Sequence, residues 1–236
     1  MKEFLEQNYS LITHSVEIMA AVIGLIFYKK YKYTAVKFFI WFLVYVAVCD
    51  FFGSYAEYVK EDSFLSFLKG TIIETNHWWI TSTWFIGSIL FFSYFYQKTL
   101  KTKLYKHILK YGAFVFLIIS IIQIVTDLES FFNHFFPLIS ILGAVIILLC
   151  TIFYFIEVLR SENILMFYRY INFYISLAIF IWWLIITPLV FYDIYNSQAD
   201  WTFVILKWQI YLFANIFMYT TFTIGLIVSK PEPLSK

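Results

Sequence analysis

Residues 135–156, FFPLISILGAVIILLCTIFYFI, contain no charged side chain over twenty-two positions. As a helix, such a run is about 33 Å long, enough to cross roughly 30 Å of bilayer hydrocarbon. Six further stretches are apolar and long enough to cross: 9–28, 38–57, 76–96, 108–127, 170–192 and 202–228. The chain of 236 residues is 62% apolar and only 14% charged, against about 45–50% and 25% in soluble domains. A water-soluble fold of this size could not hide that much apolar surface, whereas in a membrane lipid is the solvent. The expected fold is an all-α membrane protein, a bundle of seven transmembrane helices in a lipid bilayer. The connections are too short to fold separately, so residues 1–236 form one domain.

Charge fixes the expected direction of the spans. The connections after spans 1, 3, 5 and 7 carry thirteen of the seventeen basic residues, including Lys29, Lys30, Lys32, Lys37, Lys98, Lys101, Lys103, Lys106 and Lys110. The opposite side holds ten of the fifteen acids, among them Glu57, Glu74, Asp127 and Glu129. Basic loops stay in the cytoplasm, which predicts the N-terminus outside and the C-terminus cytoplasmic. The lysine-rich connection after span 3 is mainly a topology determinant and also suits contact with anionic lipid. A net charge of +2 gives no support for nucleic-acid binding. The opening MKEFLEQNY is acidic, and no small-residue cleavage pattern follows the first apolar run, so that run is expected to be a permanent span. Cys49 and Cys150 lie far apart in apolar segments, as free buried thiols do.

Three local features carry expectations. DSFLSFLKG, beginning at Asp62, has an N-cap candidate, helical apolar spacing and Gly70 as a stop, so a short amphipathic surface helix is expected, as a linker or as a lid. Thr187-Pro188 is expected to end span 6, or to kink it. Trp78 and Trp79 read as an interfacial belt, Trp182 and Trp183 as core.

The ionisable groups at membrane depth are the sharper signal. Glu17 would lie about 12 Å and Asp50 about 10 Å below the outer edge at helical rise. Glu74 and His77 stand at the mouth of span 3. Gln123 is one turn from the outer end of span 4, and Lys207 and Gln209 are one to two turns into span 7. A charge at mid-bilayer costs roughly 2.5–3.5 kcal/mol, several times what one Leu or Phe returns, so these groups are expected to face inward. Ser10, His14, Glu17, Ala21 and Gly24 form one helical stripe, polar above and small below, and Ala20-x-x-x-Gly24 suits close helix contact. The side chains His14, Glu17, Asp50, Glu74, His77, Gln123, Lys207 and Gln209 are thus expected around an outward-facing polar pocket. Structural glue, such as Asp50 with Lys207 or Glu17 with His77, is the plainer alternative.

Three functions fit such a pocket. The first is receptor-like or sensory binding of a small ligand from the outer side, with output through a protein partner on the basic cytoplasmic face. The second is ion- or proton-coupled transport, since facing acids, imidazoles and a lysine suit a proton relay. The third is a metal-dependent lipid-modifying membrane enzyme. His14-x-x-Glu17 and Glu74-x-x-His77 each put two ligands on one helix face, and Asp50 and His134 would extend the set. No cofactor is specified, and retinal is disfavoured because the lysine of span 7, Lys207, is two turns from its middle.

The run NHWWITSTWFIGSILFFSYFYQKTLKTK, through span 3, resembles the third span of small bacterial seven-helix inner-membrane proteins of unknown function. The aromatic-rich, lysine-flanked organisation extends the resemblance over most of the chain. It implies a multi-pass protein of a bacterial inner membrane and no specific activity.

Overall fold

The computed structural model describes residues 2–60, 63–161, 164–195 and 201–231, and among them no strand occurs. The long helices are α1 (Lys2–Ile26), α2 (Val36–Gly53), α4 (Lys103–Thr126), α5 (Pro137–Leu159), α6 (Ile171–Tyr195) and α7 (Trp201–Val228). Between α2 and α4 three helical segments run end to end, His77–Ile80, Thr81–Ile86 and Gly87–Thr99, and together they make α3. Among the described residues six helices are long and apolar enough to cross a membrane, and α3 is not among them. It differs from the uniform span expected at 76–96 because Thr81–Ile86 is a π-helix. Its wider turn divides the α-helical hydrogen bonding into two short pieces.

The helices pack in a closed circuit. α1 packs on α2 and α7, α7 on α6, and α6 on α5; α5 in turn contacts both α4 and the Gly87–Thr99 part of α3, and α3 also touches α2. Lipid is as apolar as the core, so cohesion depends on close fit and internal hydrogen bonds more than on hydrophobic burial. Both are visible. The Phe39 ring of α2 meets Phe222 of α7 at 4.9 Å and Phe95 of α3 at 6.1 Å. The buried Tyr96 hydroxyl of α3 lies 2.7 Å from Ser176 Oγ of α6. Gly24 brings α1 so close to α2 that a Cβ there would meet Ile40 Cγ2 at 3.2 Å, the contact anticipated from the small-residue pattern. Outward faces are apolar, as at Phe114, Val115, Ile122 and Val125 of α4. Cys49 and Cys150 are free and buried.

The C-terminal end of α7 is held by residues from the other end of the chain. Lys30 Nζ donates to the carbonyls of Leu226 and Ile227 at 3.2 and 3.1 Å. The fully buried Tyr31 hydroxyl donates to Leu226 O at 3.0 Å and lies 3.1 Å from Ser229 Oγ. Helix C-termini leave carbonyls unpaired and carry partial negative charge, so an ammonium and a hydroxyl are suited to the position. Burial lowers the pKa of the Lys30 ammonium. Tyr31→Phe strands these acceptors and is expected to cost about 1–3 kcal/mol. It should appear as a lowered midpoint of thermal unfolding in detergent.

Two local expectations are corrected. In place of an amphipathic helix beginning at Asp62, only Ser66–Leu68 forms a 3-10 turn. Phe64 and Phe67 are exposed, and Asp62 itself lies outside the described residues. Gly70 does close the turn, in the left-handed region at φ +75°. Span 6 does not end at Pro188, because α6 continues to Tyr195. Pro188 cannot donate to the Leu184 carbonyl, and at the preceding residue the Thr187 hydroxyl adds a 2.6 Å bond to Trp183 O, the kind of side-chain support that lets membrane helices tolerate proline.

Candidate functional site

Two helices bring acids together and a third adds a hydroxyl. Glu17 of α1 is 3% exposed. Its carboxyl is within hydrogen-bonding reach of the Asp50 carboxyl of α2 and of the Tyr219 hydroxyl of α7. Oε2 of Glu17 makes no hydrogen bond. Asp50 is half-buried and Tyr219 buried. The geometry follows from helix spacing. α1 packs against both α2 and α7, and Ala20 and Ala21, fully or nearly buried beneath Glu17, allow the approach.

His14 stands one turn above Glu17 on α1. Its Nδ1 is 3.2 Å from Ser10 Oγ, and its Nε2 is 3.3 Å from Ser54 Oγ. Ser54 spends its single proton on the Asp50 carbonyl at 2.9 Å. Ser54 Oγ can then only accept, so the His14 proton is on Nε2. Tyr9 is within electrostatic reach of both acids, and its ring lies 6.3 Å from that of Trp208. The arrangement is a polar column, Ser10–His14–Glu17 on α1, facing Asp50 and Ser54, with Tyr219 beneath.

The remaining sequence candidates are distributed elsewhere. Glu74 Oε2 accepts the Gly70 N–H at 2.8 Å in the connecting loop. His77 sets its ring edge-on to Phe135 at 4.3 Å, and its buried Nδ1 is unpaired. Gln123 Oε1 on α4 is likewise buried without a partner. Lys207 and Gln209 are half-buried on α7. His14, Glu17 and Asp50 therefore form one cluster, while His77 belongs with Phe135 and the short helix Leu128–Asn133. In that helix the Ser130 hydroxyl and N–H hold the Asp127 carboxyl below the usual carboxylate range. Among the described residues no three His, Cys, Asp or Glu side chains gather as a metal site requires, so the His14/Glu17 and Glu74/His77 pairs do not combine into a ligand set.

The indoles are also engaged by protein. Trp78 Nε1 donates to the Tyr55 hydroxyl at 3.1 Å and Trp79 Nε1 to Cys49 O at 2.8 Å. Trp79 is thereby tied to α2 and Trp78 to the turn that follows it. Trp182 and Trp183 are buried as core, and Trp182 Nε1 donates to Asn215 Oδ1 at 2.7 Å. The residues of the cluster not singled out from sequence are Tyr9, Ser54 and Tyr219. With nineteen tyrosines in the chain, composition gives Tyr219 no distinction; only its helical register on α7 opposite Glu17 does. No known protein family, curated protein or solved structure matches the chain.

Proposed function

We propose that the chain is a seven-helix protein of a bacterial inner membrane, N-terminus outside and C-terminus cytoplasmic, that binds and releases a proton at Glu17 and Asp50 as an ion- or proton-coupled transporter. The alternating lysine pattern supports the seven-fold crossing. The twenty-three residues from His77 to Thr99, about 35 Å at helical rise, supply the length for α3 to serve as the third.

The observation that carries the functional reading is the approach of buried Glu17 to half-buried Asp50. An ionised carboxylate only accepts hydrogen bonds, so two carboxyls within reach of each other can bond only while at least one of them holds a proton. Two carboxylates sharing a site resist ionising together. Ionisable groups inside membrane bundles are costly and mark ion or proton pathways. His14 and Ser54 extend the chain of exchangeable protons towards the outer side, and Tyr219 offers a hydroxyl below.

A pH jump applied to solid-supported membranes carrying the protein is expected to give a transient current. Glu17→Gln and Asp50→Asn should each abolish it. Equal currents from all three proteins, or none above protein-free lipid, would sink the proposal. The unpartnered Oε2 of Glu17 favours a second reading, receptor-like capture of a small ligand bearing an N–H or O–H donor. That reading predicts ligand-dependent thermal stabilisation with no current.

A further inference from the structure

A groove of about 350 Å³ opens on the outer face of the bundle between α2 and α3, within the range of ligand clefts, about 300–1,000 Å³. It is built as rungs. The helices run antiparallel, so Phe38 faces Tyr94 at 5.5 Å, edge-on, and Phe42 lies flat on Phe91 at 4.1 Å with 2° between planes. At the far end Tyr45 rests against Gly87, where a Cβ would stand 2.9 Å from the Tyr45 hydroxyl. The glycine is what leaves room for that ring. Trp41 forms one wall and is 55% exposed. From Phe38 to Tyr45 the groove extends about 10 Å along the helices.

One end of the groove is charged and the other is not. Lys37 Nζ lies over the Phe38 ring at 4.9 Å, and Lys98 Nζ over the Tyr94 ring at 5.4 Å. Phe38 and Tyr94 are the first rung, so two ammonium groups from different helices stand over the same mouth. The rest of the lining is apolar apart from the Tyr45 hydroxyl, which already donates to Thr83 O at 3.1 Å.

We infer that this groove binds one anionic phospholipid, its acyl chain along the rings and its phosphate at the mouth between Lys37 and Lys98. The rings accept any chain, so they supply contact without selecting a headgroup. Selection comes from the lysines. Each lysine near a membrane surface favours anionic lipid by an amount that makes a pair worth on the order of tenfold or more. Phe38 and Tyr94 hold the two ammoniums in place by cation–π contact, so the pair is ordered before a lipid arrives.

The test uses the intact protein in phosphatidylcholine vesicles containing a minor fraction of either brominated phosphatidylglycerol or brominated phosphatidylcholine. Bromine on the acyl chain quenches a neighbouring tryptophan, and Trp41 is the reporter, identified by the signal missing from Trp41→Phe. The expected result is stronger quenching of Trp41 by the anionic lipid, a preference on the order of tenfold. The preference should disappear in the double variant Lys37→Gln, Lys98→Gln and persist in Lys37→Arg, Lys98→Arg. Equal quenching by both lipids overturns the inference, as does a preference that survives loss of both lysines. Energy transfer between differently labelled copies, with Trp41 shielded from either lipid, would assign the groove to a second copy of the chain and overturn it as well.

Discussion

Gly225→Ala is expected to destabilise the bundle by about 3 kcal/mol, the upper end of what overpacking costs. A Cβ at Gly225 of α7 would stand 2.7 Å from Tyr174 Cβ, 2.9 Å from its Cγ and 3.0 Å from Ile171 Cδ1. Tyr174 Cβ is fixed to the backbone of α6 and no rotamer removes it, so the helices themselves must separate. Gly112→Ala is the control. Nothing lies within 4 Å of a Cβ there, and the intrinsic preference of helices for alanine should leave stability unchanged or raise it by up to about 1 kcal/mol. Unfolding in detergent, followed by tryptophan emission, separates the two. Equal midpoints for both variants would show that α6 and α7 do not meet as closely as described.

The second large effect lies at Glu17, where the choice of replacement matters more than the site. Glu17→Leu leaves the Asp50 carboxyl and the Tyr219 hydroxyl facing an alkyl group. A buried polar group left unsatisfied costs about 1–3 kcal/mol. Two such groups would cost about 2–4 kcal/mol, near the low end because the membrane-embedded unfolded state also finds its polar groups partners. Glu17→Gln keeps both a donor and an acceptor at the position, so its midpoint should stay within about 1 kcal/mol of the parent. If Leu and Gln destabilise equally, the side chain acts by volume, and hydrogen bonding to Asp50 and Tyr219 is not what holds it.

How far the sequence reaches can be seen in these residues. The spans were legible because a bilayer demands one property, apolar length, at every position of a segment. The alignment of His14 and Glu17, and the burial of Glu17 against another helix, followed from period and from the penalty for charge in lipid. The facing of Asp50 followed from depth. Depth does not fix azimuth, however. His77 and Gln123 share the outer half with Glu17 but do not join its cluster, and no spacing within one helix says which way round the bundle it turns. The π-helical turn at Thr81–Ile86 was hidden for a different reason: its three hydroxyl residues followed by Trp84, Phe85 and Ile86 are types that an α-helical span also uses. Phe64 and Phe67 had helical spacing in a nine-residue stretch, but one short turn with few tertiary contacts cannot offset its own nucleation.

The clasp of Lys30 and Tyr31 on the end of α7 has a consequence for biogenesis. Its partners are separated by 196 residues, and at translation rates of about 5–20 residues per second the second half emerges roughly ten to forty seconds after the first. During that interval α1 and α2 are already in place while the strand of chain that completes their packing is still inside the ribosome. Glu17 and Asp50 can satisfy each other as a hairpin without waiting, which makes the newborn pair of helices tolerable to the bilayer. The ring is closed only when α7 joins α1 and α6.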